Sequence, residues 1–239
     1  MPDYTSFCPV SIATSVLGDR WTPLVLREFF HGSTRFNDLA RGLPGMSRSI
    51  LTQRLKHLER KGVIERWPLP SGRGFEYRLT PAGADLERVI MAFGQWAIEW
   101  LFDEIQPHEV DAVTLTWWMQ RRMDLTSLPT DRVVLQLDHT APERVTLWLV
   151  IDHGEVSVCL HHPGLETDVL VSASTPTLAE VFQGYDQWRD AVAAGRIQID
   201  GPRHLVRAVP RWFLWSALVS ETRERLARER AGSLMPSAV

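Results

Sequence analysis

Between Phe36 and Thr80 the chain has almost no slack. A short apolar run at Phe36, Leu39 and Ala40 is closed by GLPG, Gly42 to Gly45. SRSILTQRLKHLERKG, Ser47 to Gly62, begins at once. VIERWPL and FEYRLT then follow, parted only by PSGRG, Pro70 to Gly74. With about 3.6 residues per helical turn, Leu51, Leu55 and Leu58 share one face of the Ser47–Gly62 stretch. The two later runs are rich in aromatic and β-branched residues, and the glycines between them favour a hairpin. The order is therefore helix, tight turn, helix, hairpin. Upstream, Val10 to Leu17 and Trp21 to Phe30 predict two further helices ended by Gly18 and Gly32. Downstream, Thr80 before Pro81 is a good helix start, followed by Val89, Ile90, Phe93, Ala97, Trp100 and Leu101 at helical spacing.

Opposite the leucine face lie Ser49, Gln53, Lys56 and Arg60, with Thr52 and His57 at the edges. Small hydroxyls, an amide and cations near a helix start suit base edges and phosphates in a major groove. Ser47 is a good N-cap and would hold backbone N–H groups near a phosphate. Taken alone, the same face also fits a merely solvated helix. The neighbours decide for a winged helix: a turn precedes the helix, and a hairpin bearing Arg66, Arg73 and Arg78 follows it. Charge agrees. Residues 41–80 carry nine basic and three acidic side chains, seven of the basic ones arginine. Residues 101–239 hold 13 basic against 19 acidic. A basic segment joined to an acidic half predicts a polyanion partner for the first part and another task for the second.

After FDEIQPHEV, a helix with Trp117 and Trp118 is expected over Val110 to Met123. VVLQL, VTLWLVI, EVSVCL and DVLVS then read as strands, and two helical stretches flank IQI, Ile197 to Ile199. Strands followed by helices favour an α+β domain. The expected fold class is thus an all-α domain with a β-wing plus an α+β domain. No apolar run approaches the roughly 18 residues a membrane helix needs, and MPDYTSFCPV lacks a signal-peptide pattern. Cys8 and Cys159 form no disulfide framework, so the reducing cytoplasm is the expected compartment. His139, His153, His161 and His162 are too scattered for a metal site, and no metal, cofactor or catalytic set is expected.

CPVSIATSVLGDRW, STRFNDLARGLPGMSRSILTQRLKHLERKGVIER and GFEYRLTPAGADL together resemble the HxlR-type winged helix-turn-helix regulators of bacteria, over residues 7–100. The resemblance implies a homodimeric DNA-binding transcriptional regulator without enzymatic activity. Its reading helix would be Ser47–Lys61, with Ser47, Arg48, Ser49, Thr52, Gln53, Lys56 and Arg60 on DNA. The wing tip would be Pro70–Phe75, with Arg73. The N-terminal helix and Phe93, Trp96 and Trp100 would form the dimer interface, although those aromatics equally suit an intramolecular core or domain contact. Many such proteins carry a cysteine at the position of Cys8, some as a redox sensor; a buried, inert thiol is the alternative.

His162 to Phe213, with its helix–Gly–strand–Gly–helix order and trailing Trp212, resembles the sterol-carrier-protein-like domains, over residues 125–220. That implies a small α+β fold with an apolar cavity for a hydrophobic small-molecule effector. Trp148, Phe182, Trp188, Trp212, Phe213 and Trp215 would line it, or else fill an ordinary core. The expected organisation is 1–106, DNA binding and dimerisation; 107–128, a helical linker; and 129–239, the ligand domain. A palindromic operator and double-stranded DNA as partner follow from the first domain. A lipid carrier or small-molecule enzyme using the winged helix as an interaction platform is the rival reading.

Overall fold

The computed structural model describes residues 7–70, 73–101 and 105–233. The chain divides into two compact units, Met1–Phe93 and Gly94–Val239. The first holds α1 (Pro9–Leu17), α2 (Thr22–Phe30), α3 (Phe36–Arg41), α4 (Arg48–Arg60), a hairpin of β1 (Ile64–Pro68) and β2 (Phe75–Leu79), and α5 (Pro81–Asp85). α6 (Glu87–Trp100) begins in this unit and ends in the second. The helix expected from Pro81 onward is thus two, broken at Leu86.

Leu51, Leu55 and Leu58 of α4 are at most 1% exposed and pack with Val25, Leu26, Leu39, Leu43, Val63 and Ile64. Burying such a side chain contributes about 1.5–3 kcal/mol, so the leucine face fixes which side of α4 looks outward. Two devices set the turn before α4. Arg27 donates from Nη2 to the buried Glu28 carboxylate at 2.9 Å and to the Gly42 carbonyl at 3.1 Å. A Cβ on Gly42 would stand 1.7 Å from Glu28 Oε2, so any side chain there would have to displace that buried carboxylate. The hairpin pairs Ile64 with Leu79 through Pro68 with Phe75, and Tyr77 N donates to Thr34 O at 2.7 Å, attaching β2 to the residues before α3.

The second unit contains α7 (Ala112–Arg121), β3 (Val133–His139), β4 (Val145–Asp152), β5 (Glu155–Cys159), β6 (Val169–Ala173), α8 (Thr175–Gln183), α9 (Trp188–Ala193), β7 (Ile197–Asp200), α10 (Arg203–Ala208) and α11 (Val219–Ser233). Its sheet runs β5-β4-β3-β6-β7, with β3 and β6 parallel and the other pairs antiparallel. This is the α+β fold expected. Successive strand residues alternate faces. Leu135, Leu137, Leu149, Ile151, Val169, Val171 and Ile197 share one core with Leu115, Met119, Leu178, Phe182 and Trp212.

Residues 107–128 are no free linker: Leu115, Met119 and Met123 are buried in the second core, and Gln120 Nε2 donates to Val156 O at 3.1 Å. The division into compact units falls inside α6, where residues 94–100 are tied to α11. Gln95 Nε2 donates to Glu221 Oε1 at 2.9 Å, Arg225 to the Ile98 carbonyl, and Arg228 pairs with Glu99.

Candidate functional site

Ser47 caps α4, its hydroxyl accepting from Ile50 N at 3.2 Å. With the leucine face inward, Ser47, Arg48, Ser49, Thr52, Gln53, Lys56 and Arg60 are all exposed on one side. The structure therefore brings together the helical residues expected to meet DNA. They are not equivalent. The Thr52 hydroxyl donates back to Arg48 O at 2.8 Å, leaving it an acceptor toward any ligand. Arg54, beside this face, pairs with Asp19 at 3.4 Å. Lys56, Arg60 and Arg73 enter no ion pair among the described residues. His57 is half-buried at the edge; burial first, then the charges of Arg54, Lys61 and Arg60, lower its pKa, against the raising effect of a hydrogen bond to the Ser15 backbone.

The hairpin carries its own cations. Arg66 lies over Phe75 at 4.3 Å and Arg78 over Trp67 at 5.1 Å. Arg66 also approaches Glu59, and Arg78 pairs with Glu76. Arg73 is exposed, next to Ser71 and Gly72 of the expected wing tip, which lie outside the described residues.

Sequence reasoning placed Arg48 but missed what holds it. Its Nη1 and Nη2 both donate to Asn37 Oδ1, at 3.1 and 3.2 Å, and its guanidinium lies 5.4 Å from the Phe36 ring centroid. Nothing local signals this, since the partners are 11 residues apart on different helices.

On α6, Phe93, Trp96 and Trp100 are 52%, 57% and 70% exposed, so among the described residues they are not part of a buried core. Leu101 at the end of α6, and Phe7, Val10 and Ile12 at α1, are exposed as well. Cys8 sits at the N-cap of α1 and is exposed in the single chain. Cys159 is half-buried opposite Trp148 on the far face of the sheet.

The six aromatics expected around one cavity are not gathered. Phe182, Trp212 and Phe213 are at most 4% exposed within the core. Trp188 and Trp215 are half-buried at its edge, in a row with Phe213: ring centroids are 5.3 Å apart for Phe213 and Trp215, and 6.0 Å for Trp215 and Trp188. Trp215 adopts φ 56°, a left-handed backbone rare outside glycine, and its carbonyl accepts from Arg122 Nε at 2.7 Å. Trp148 belongs elsewhere. It projects from the opposite face of the sheet, donates Nε1–H to Gln136 Oε1 at 3.2 Å and meets His162 edge-on at 5.3 Å. There Gln136 also accepts from Thr167 at 3.1 Å and donates to Asp138 at 3.0 Å, which accepts from Thr146 at 2.9 Å.

Of the four histidines judged too scattered for a metal, His139 has a structural task. It is 2% exposed between Thr116 and Thr175, with Nε2 3.2 Å from Thr116 Oγ1 and Nδ1 3.1 Å from Thr175 Oγ1. Thr116 already donates to Ala112 O, so its hydroxyl accepts, Nε2 carries the proton, and Nδ1 accepts from Thr175. Burial lowers the His139 pKa to about 4, against smaller raising effects of Asp111 and Asp138. The ring therefore joins β3 to α7 and α8 as a neutral group. No helix among the described residues is long and apolar enough to cross a membrane.

The family matches fall one on each part of the chain, the first running past the α6 division to residue 105. Residues 16–105 match the HxlR-like helix-turn-helix family, and 122–213 the SCP-2 sterol transfer family. An uncharacterized HTH-type transcriptional regulator of Bacillus subtilis, YvaP, is 34% identical over 99 residues, 41% of this chain and 92% of its own length. The chain belongs to the HxlR-like helix-turn-helix family. An uncharacterized HTH-type transcriptional regulator of Mycobacterium bovis is 45% identical over 93 residues, 38% of this chain. The chain spans only 58% of that relative's length. Among solved structures, the reduced form of the transcriptional regulator YodB from Bacillus subtilis is 33% identical, covering 40% of this chain and 96% of its own, with a TM-score of 0.36. This HxlR-like chain thus carries a winged helix-turn-helix unit joined to an SCP-2 domain.

Proposed function

We propose that the chain is a transcriptional regulator that binds a palindromic operator as a homodimer, with its DNA affinity set by a hydrophobic small molecule held in the SCP-2 domain. The observation that carries this reading is the outer face of α4, where Ser49, Gln53, Lys56 and Arg60 stand exposed beside an arginine-bearing hairpin. Helices presented this way enter the major groove, and base edges and phosphates accept the groups found here. Wing arginines with Arg73 at the tip would lie on the phosphate backbone. Membership of the HxlR-like family and the names of the relatives support regulation over catalysis.

A second copy would cover the apolar strip of Phe93, Trp96 and Trp100, which recur at one helix face and are too large and exposed to serve a monomer. The effector role rests on the SCP-2 match; the Phe213–Trp215–Trp188 row, with its strained Trp215, is the aromatic surface it would meet. Such a ligand regulates only if it binds one arrangement of the dimer better than the other. Cys8, exposed at the start of α1, is a second candidate input, read as oxidant-induced release from DNA that Cys8→Ser abolishes.

The test is a gel-shift series with the full chain and the DNA upstream of its own gene. A sequence-specific shift that weakens steeply with salt is expected. No specific shift at low salt, with or without added fatty acid or sterol, would sink the proposal. The SCP-2 match also motivates the rival reading, a lipid carrier whose winged helix only dimerises; under it, lipid transfer persists while DNA binding is absent at every condition.

A further inference from the structure

We propose that Asn37 and Phe36 of α3 are positioning residues that make Arg48 a reader of guanine in each operator half-site. The inference rests on the proposed operator binding and adds to it the base and the residues that select it.

Arg48 is the first residue of α4, and reading helices contact base edges with their N-terminal residues. A long, exposed arginine ordinarily samples many rotamers, and binding must freeze them. Arg48 is already held from two sides. Phe36 is partly buried against the core of the first unit, so its ring is fixed by packing, and the guanidinium rests over it. Asn37 Oδ1 lies 3.1 and 3.2 Å from the two terminal nitrogens. One oxygen that near to both must sit between them and take their two inner N–H groups. Nε–H and the outer Nη2–H then remain side by side along one edge. That pair is the fork that matches guanine O6 and N7. Asn37 is itself exposed and enters no other hydrogen bond among the described residues, so holding Arg48 is its visible task.

A phosphate would fit the same fork. The two differ in outcome: a base contact concentrates its effect at one position, whereas a phosphate contact weakens all sequences alike. The position of Arg48 at the start of α4 favours the base.

The experiment uses the full chain and an operator selected from random duplex DNA. Affinities for every single-base-pair variant of that operator are compared for the wild type, Arg48→Ala, Asn37→Ala, Asn37→Asp and the Arg48→Ala/Asn37→Ala pair. The wild type should prefer G at one position per half-site, and Arg48→Ala should erase that preference, about tenfold to a hundredfold. Asn37→Ala should lower it by about threefold to tenfold at that position alone, and add nothing in the Arg48→Ala background. Asn37→Asp keeps the acceptor and should keep the preference. Replacing that guanine by 7-deazaguanine should cost the wild type affinity but not Arg48→Ala. An equal loss across all variants with a shallower salt slope would assign Arg48 to a phosphate and overturn the inference while leaving operator binding intact. A cost of Asn37→Ala that is undiminished without Arg48 would mean Asn37 touches DNA directly, and also overturns it. If selection enriches no sequence, operator reading fails and this inference falls with it.

Discussion

Two polar surfaces of this chain differ in what their groups do. On the outer face of α4, Ser49, Gln53, Lys56 and Arg60 stand exposed, and Lys56 and Arg60 enter no ion pair among the described residues. On the second unit's sheet, Gln136, Asp138, Thr146 and Trp148 are at least half-buried and close on one another in a chain of hydrogen bonds. The lesson is about spare capacity. A donor already satisfied by a neighbour stabilises the fold and has little to offer a ligand, whereas an exposed donor anchored by a packed helix has its bonds still to make.

The strongest way to break that comparison is charge reversal at Lys56 and Arg60. The paired Lys56→Glu and Arg60→Glu change should weaken DNA binding on the order of a hundredfold or more and flatten its salt dependence. Thermal unfolding should barely move, because neither side chain is packed. A large drop in Tm with unchanged DNA affinity would reverse the assignment of roles.

The second unit should show the converse. His139→Leu removes both bonds of a buried ring and strands Thr175, costing about 2–3 kcal/mol in chemical denaturation with DNA affinity of the folded protein retained. The wild type should also lose stability on acidification. Its pKa is about 4 folded against 6.5 unfolded, so the unfolded chain binds the extra proton between those values. Stability from this ring is therefore fully present above about pH 6.5, falls as pH drops, and levels off below about pH 4. The total is about 3 kcal/mol, and the dependence should be absent in His139→Leu. Persistence of the full acid sensitivity in that variant would assign it to other groups.

The smallest effect tests the sheet network. Trp148→Phe keeps an aromatic ring, though a smaller one, and deletes the Nε1 donor, so Gln136 Oε1 keeps only Thr167. A loss of about 1 kcal/mol is expected, with hydrophobic-ligand binding unchanged, since Trp148 faces away from Phe182, Trp212 and Phe213. A selective loss of ligand affinity would place the site on the open face instead.

Much of the candidate site was legible before folding. The leucines at 51, 55 and 58 set the inward side of α4, and the outward side follows from helical geometry alone. The hairpin, the capping Ser47 and the α+β character of the second half were equally local. The supposed cavity lining was not. Trp148 and Phe182 are both large and apolar, yet which face of a sheet a strand residue joins depends on pairing register and on where helices dock.

Periods of about 3.6 and 2 residues, written in consecutive positions, were enough for most helices and strands and for the outward residues of α4, while the two domain types were legible as motif resemblances. Tertiary structure alone decided three further things. It drew 107–128 into the second core, it placed residues 94–100 with α11, and it set Asn37 against Arg48. The physical reason is common to all three: each is a pairing between segments whose separation along the chain carries no period, so only packing selects it.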